Sequence, residues 1–237
     1  MSQTRNLSTG SLAGHFLHLA VPAGIGMLFT TLYNVVDIFF AGLIGTDAQA
    51  GLAISFQVFF IFITFGFGLS SAMTALVGNA IGAKDNTAAC LFAVRGIGFG
   101  FFVSVFLIAI AVWVGPFLLM LISTEEAYRD HGTRYFTILL VAIPSFVMSF
   151  GINGLLQSQG DTISMQRAQI GAFFANIGLN PLLMFGIPGF WGGIGLDGIA
   201  VSTVVSQAGV MIYVARQLFK TELMDEWQPT NLLPKLT

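Results

Sequence analysis

Residues 56–69 read FQVFFIFITFGFGL, and this run decides the fold. It holds no charge, and its polar and apolar side chains do not alternate. A membrane-spanning strand would show a two-residue period of polarity. The run is therefore read as helix, and its apolar surroundings extend it over about 52–77, enough for the roughly 20 residues that cross a bilayer core.

Working outward, the rest of the chain repeats the pattern. Of 237 residues, 55% are hydrophobic and only 8% are charged, too few charges for the surface of a water-soluble domain of this size. The charges cluster. Uncharged stretches separate Arg5 from Asp37, Asp47 from Lys84, Arg95 from Glu125, Arg134 from Asp161, Arg167 from Asp197, and Asp197 from Arg216. The sequence thus predicts an all-α integral membrane protein with six spans, at about 16–40, 52–77, 96–121, 136–156, 170–187 and 199–218. The transmembrane unit covers 1–219, and 220–237 begins a cytoplasmic linker.

Lys and Arg set the orientation. The amino terminus, the second and fourth loops and the tail hold Arg5, Lys84, Arg95, Arg167, Arg216, Lys220 and Lys235, against Arg129 and Arg134 on the other side. Positive charge favours the cytoplasm, so both termini are expected there. The first span is expected to stay in the membrane, because its apolar run is too long for a signal peptide, contains Pro22 and Asp37, and lacks an A-x-A site before the next span. Cys90 is the single cysteine, which excludes an intrachain disulfide or thiolate cluster.

Polar residues inside the spans are the candidate functional groups. An Asp at a helix centre costs roughly 2.5 to 3.5 kcal/mol on insertion, so a retained acid points to a role. Asp37 lies in TTLYNVVDIFFAGLIG (30–45), and the apolar segment continues beyond it. Thr30, Asn34 and Asp37 fall on one helical face. In the fifth span Asn176 and Asn180 share a face, and Pro181 deprives the carbonyl of Ile177 of its helical partner. Interhelical packing would explain these amides equally well. Asn153 with Gln157, Ser202 with Ser206, and Thr203 with Gln207 repeat the four-residue spacing, in which packing glue is the commoner use.

Pro22, followed by Gly24 and Gly26, is read as a kink or hinge, and Pro181 as a second one. The phenylalanines of the second span are read as lipid-facing and packing surface rather than a binding wall. His15, His18 and His131 stand away from the embedded acid, and no G-x-S-x-G, Walker or H-E-x-x-H motif occurs. The chain is not expected to be an enzyme or to bind nucleic acid.

Five segments in register carry a resemblance: LYNVVDIFFAGLIGTDAQAGLAI (32–54), GNAIGAKD (78–85), INGLLQSQGDT (152–162), NIGLNPLLMFG (176–186) and GIAVSTVVSQ (198–207). Together they resemble the multidrug-and-toxin-extrusion (MATE) family over nearly the whole chain. The resemblance implies the amino-terminal six-helix lobe of a twelve-helix antiporter in a bacterial inner membrane, exporting organic cations or drugs in exchange for protons or sodium, with no cofactor. It implies a cation- or proton-binding site at Asp37, Asn153, Asn176 and Thr203, with Asn180 where one branch carries a second acid. Because an amide brings no charge, a sodium site near Asp37 is only one of the options. Tyr33 and Asn34 would line the substrate cavity. A partner six-helix lobe is expected, since a lone lobe has nothing to close against. Alternatives are a lipid-linked oligosaccharide flippase of the same superfamily, against which stands the lack of Lys or Arg within the spans, and a non-transporting subunit or inactive fragment.

Overall fold

In a bilayer every backbone polar group must be satisfied within the protein, and an uncharged apolar chain meets this demand by forming long helices. The computed structural model describes residues 12–123, 125–187 and 189–224. Among them the α-helices are α1 (Leu12–Ile44), α2 (Thr46–Gly82), α3 (Asn86–Ile122), α4 (Glu126–Leu139), α5 (Ile143–Ser158), α6 (Ser164–Phe185) and α7 (Leu196–Leu218). Six stretches are long and apolar enough to cross a membrane, with α4 and α5 forming one of them, Glu126–Ser158. The described residues form no strand beyond one isolated bridge in a loop. The all-α, six-span expectation holds.

Span limits differ from the expected ones in an instructive way. α2 and α3 each have 37 residues, about 55 Å at about 1.5 Å per residue, well beyond the hydrocarbon thickness of about 30 Å. The fifth span begins at Ser164 and includes Arg167, rather than starting near 170. Hydropathy marks the bilayer core, whereas a helix continues into the wet interface where charge is tolerated.

The fourth span, expected at about 136–156, is present within Glu126–Ser158 but is not uniform: a 3-10 turn at Leu140–Ala142 separates α4 from α5. Pro144, in the first turn of α5, has no N–H for the helical bond to Leu140 and enforces the break. By contrast, helix continues through Pro22 in α1 and through Pro181 in α6.

Two of the quoted motifs turn out to shape helix ends. In GNAIGAKD, Lys84 takes a left-handed φ of 60° after α2, and the Asp85 carboxylate accepts the Ala88 N–H at 2.9 Å to cap α3. In INGLLQSQGDT, Asp161 accepts the N–H groups of Ile163 and Ser164, each at 3.0 Å, and the Ser164 hydroxyl at 2.6 Å. This sets the corner from α5 to α6.

α2 is the central post, packed against α5, α4, α3 and α1. Small residues allow the close approaches that membrane helices depend on. The Ser55 hydroxyl of α2 donates to the Gly132 carbonyl of α4 at 2.7 Å, and the Thr74 hydroxyl donates to the Gly154 carbonyl of α5 at 3.1 Å. A Cβ at Gly154 would collide with the backbone of Ser70. α6 pairs with α7, and α1 leans on α6. After α7, a 3-10 turn at Glu222–Met224 buries Leu223 and Met224 and packs on α3. Residues 225–237 of the expected linker lie outside the described residues.

Candidate functional site

Asp37 sits on α1 with only 4% of its surface exposed. Its Oδ1 accepts Asn180 Nδ2 at 2.8 Å and Asn176 Nδ2 at 3.0 Å, both from α6, and its Oδ2 accepts the Thr203 hydroxyl of α7 at 3.1 Å. The amides hold each other too. Asn180 Nδ2 donates to Asn176 Oδ1 at 3.0 Å, and Asn176 Nδ2 reaches the Ser202 hydroxyl at 3.3 Å. Asn176, Asn180 and Ser202 are fully buried. The four-residue spacing on α6 turns both amides to one side, which is why two residues of one helix can grip a single carboxylate.

A buried charge is expensive unless donors or an opposite charge offset it. Here neutral N–H and O–H groups supply all three bonds, and none comes from a cation. Among the described residues an ion pair joins Arg134 of α4 to Asp197 of α7 at 2.6 Å, with Arg134 largely exposed. Asp37 is thus an acid whose charge is balanced by dipoles, an arrangement sensitive to what enters beside it.

The cluster opens into a cavity of about 1170 Å³. Tyr33, Asn34, Asp37, Asn153 and Thr203 line it. Asn176 and Asn180 stand behind Asp37 as its buried supports. Asn153, on α5, lines the cavity without bonding Asp37. Thr30 and Asn34 complete the stripe on α1, although the Thr30 hydroxyl and the Asn34 amide bond back to the carbonyls of Gly26 and Thr30. Pro181 is not among the described lining residues, and the side chain of Pro22 lies outside those described.

Several lining residues were not singled out from the sequence. Tyr135 on α4, Gln166 and Gln169 on α6, and Ser70, Ser71 and Thr74 on α2 all face the cavity. The α2 phenylalanines divide: Phe59 and Phe62 are packed in the core and Phe65 is exposed, as expected, whereas Phe56, Phe60 and Phe67 line the cavity with Phe146 and Phe150 of α5. Phe67 and Phe150 pack with ring centroids 4.3 Å apart. Hydropathy cannot separate a wall that faces lipid from one that faces a cavity, because both are apolar. Among the described lining residues there is no Lys, Arg or His.

Some polar groups at the site lack partners. The Tyr33 hydroxyl, the Ser206 hydroxyl and Gln207 Oε1 are buried without a hydrogen bond. Tyr33 precedes Asp37 by four residues on α1 and Ser206 follows Thr203 by three on α7, about one helical turn from the Asp37 bonds.

A family model described as MatE matches residues 22–182, more than half of the chain and including Asp37, Asn153, Asn176 and Asn180. The chain belongs to the MatE family. Among its curated relatives, a probable multidrug resistance protein YoeA of Bacillus subtilis is 29% identical over 73% of this chain and 38% of the relative. An FAD transporter of Shewanella oneidensis is 24% identical over 95% of this chain and 51% of the relative. The chain thus spans about half the length, or less, of these relatives. A solved structure described as the outward-facing conformation of a multidrug resistance MATE family transporter shares the fold, with TM-score 0.81 and 24% identity over 93% of this chain and 48% of that one. Membership in MatE and the six apolar spans make this an integral membrane protein.

Proposed function

We propose that this MatE chain is the amino-terminal lobe of a secondary active antiporter that exports organic cations or drugs, and that Asp37 carries the coupling ion. The observation that carries this reading is the geometry of Asp37: a buried carboxylate, held by three neutral donors, at the wall of a large cavity. A carboxylate without a fixed cation can exchange its partner, and each partner favours a different arrangement of α1 against α6 and α7.

The coupling ion in this reading is the proton. Asn176, Asn180 and Thr203 all turn hydrogens towards Asp37 and favour its ionised form, so a proton that binds there displaces at least one of these bonds and loosens α1 from α6 or α7. Sodium is the other candidate and would require those amides to present oxygen instead. The lining, with an acid, aromatic rings and no basic residue among those described, supports cationic or neutral cargo over a pyrophosphate-bearing lipid. The seven-to-two distribution of Lys and Arg supports cytoplasmic termini in this reading. A second six-helix lobe would close the cavity, consistent with relatives about twice as long.

The test uses the full-length protein in liposomes with an entrapped fluorescent organic cation. An imposed proton gradient at equal sodium should drive transport, and Asp37→Asn should reduce it to the rate of empty vesicles while insertion is retained. Transport driven only by a sodium gradient would replace the proton in this scheme. Full gradient-driven transport by Asp37→Asn would remove Asp37 from the mechanism.

A further inference from the structure

The loop between α6 and α7, residues 186–195, lies outside the Asp37 site and has a built structure of its own. Ile187 and Trp191 exchange backbone hydrogen bonds of 3.0 and 3.1 Å. The N–H groups of Ile194 and Gly195 then cap the Leu183 and Met184 carbonyls in the last turn of α6, at 2.9 and 3.0 Å. Gly186 and Gly193 have φ values of 77° and 66°; a Cβ on Gly186 would collide with the loop's own backbone, and one on Gly193 with the backbone at the end of α6. The described residues of the loop are therefore held by their own backbone and by α6.

What the loop displays is apolar. Phe190 is 86% exposed, and Ile187 and Trp191 are exposed beside it. No charge occurs between Arg167 and Asp197. The display continues the outward stripe of α6, where Phe174 and Phe185 are also exposed, on the face opposite Asn176 and Asn180. In a membrane-spanning helix that stripe faces lipid. With Arg167 of α6 in one interface, the rise from there to Phe185, about 27 Å at about 1.5 Å per residue, nearly spans the hydrocarbon thickness of about 30 Å and brings the loop to the opposite boundary of the core. Aromatic rings are enriched in that layer, and Trp adds an N–H for the headgroup side.

We propose that Ile187, Phe190 and Trp191 form an interfacial anchor, with Phe190 and Trp191 seated at the boundary between headgroups and acyl chains in the leaflet where α6 ends. The occupant of this surface is lipid. The anchor sits on the hairpin that supplies every donor described for Asp37, namely Asn176, Asn180 and Thr203, and it sets the depth of that hairpin in the bilayer. This inference requires the spans to cross a membrane but does not depend on antiport, so the two can fail separately.

The test is depth-dependent fluorescence quenching in the full-length protein, reconstituted in phosphatidylcholine vesicles, with every tryptophan except Trp191 replaced by phenylalanine. A second version carries Phe190→Trp with Trp191→Phe, so that one failed substitution does not end the experiment. Bromine atoms near the headgroup end of the acyl chains should quench at least about twofold more than bromines near the methyl end, and more than aqueous iodide. Stronger quenching by iodide would place the loop in water and overturn the proposal. Quenching by none of the three would mean that protein covers the loop, a second copy or another domain, and would overturn it as well. Stronger quenching by the deep bromines would put the loop in the core and refute the interfacial placement.

Discussion

Asn180 Nδ2 lies 2.8 Å from Asp37 Oδ1, joining two residues 143 positions apart in sequence. The same amide also donates to Asn176 Oδ1 at 3.0 Å, so its loss would leave one buried acceptor unpaired and another weakened. Asn180→Leu should destabilise the protein by about 1–3 kcal/mol, the cost of orphaning a buried polar partner. Asn180→Asp should be worse at neutral pH than at acidic pH, because two adjacent carboxylates cannot both ionise cheaply. Thermal unfolding of the purified variants in detergent at two pH values checks both, and equal melting points for Asn180→Leu and the parent would show that the bond is dispensable.

Gln207 presents a different balance. Its Oε1 is buried without a partner on a cavity-lining residue, and replacing an unsatisfied group with an apolar one of similar shape is often neutral or stabilising. Gln207→Met should melt no lower than the parent, yet transport should fall severalfold if the amide is needed in another stage of the cycle. Paired melting and liposome transport assays decide this. A variant both stable and fully active would make Gln207 a packing residue.

The Arg134–Asp197 ion pair should matter little to stability. Its geometry is close, at 2.6 Å, but the Arg134 side chain is 70% exposed, and exposed pairs are worth about 0.2 to 1 kcal/mol. A double-mutant cycle with Arg134→Gln and Asp197→Asn should return a coupling within that range that shrinks in high salt. A coupling of several kcal/mol that ignores salt would mean the pair is shielded from water.

Gly154 should tolerate no side chain. An added methyl would meet the Ser70 backbone, which cannot move aside as a flexible side chain could. Gly154→Ala should cost about 1–3 kcal/mol through separation of α2 and α5. Gly171→Ala on α6, with open space around it, is the matched control and should be neutral or slightly stabilising. Similar melting points for the two variants would contradict the tight α2–α5 contact.

Much of this was legible in the sequence, for a physical reason. Charge-free stretches reveal spans because the bilayer penalises charge, and Asp37, Asn176 and Asn180 stand out because polar groups in such stretches are costly. The identity of the Asp37 partners followed from spacing on α6 and from the family pattern. Other features had no comparable signal. Pro144 marked the break in the fourth span, but prolines at 22 and 181 carry the same signal and leave their helices continuous. Tyr135 lies in the least apolar helix, near charged residues that made its surroundings look like a loop end. Phe60 and Phe67 could not be assigned to cavity or lipid from hydropathy alone.

The small turn at Glu222–Met224 has a mechanical consequence. Because Leu223 and Met224 are buried against α3, the backbone leaving α7 is moored to a helix that α2 separates from α1. A pull on the backbone at Met224 would be shared between α7 and α3, so the helix that carries the Thr203 bond to Asp37 would not bear it alone.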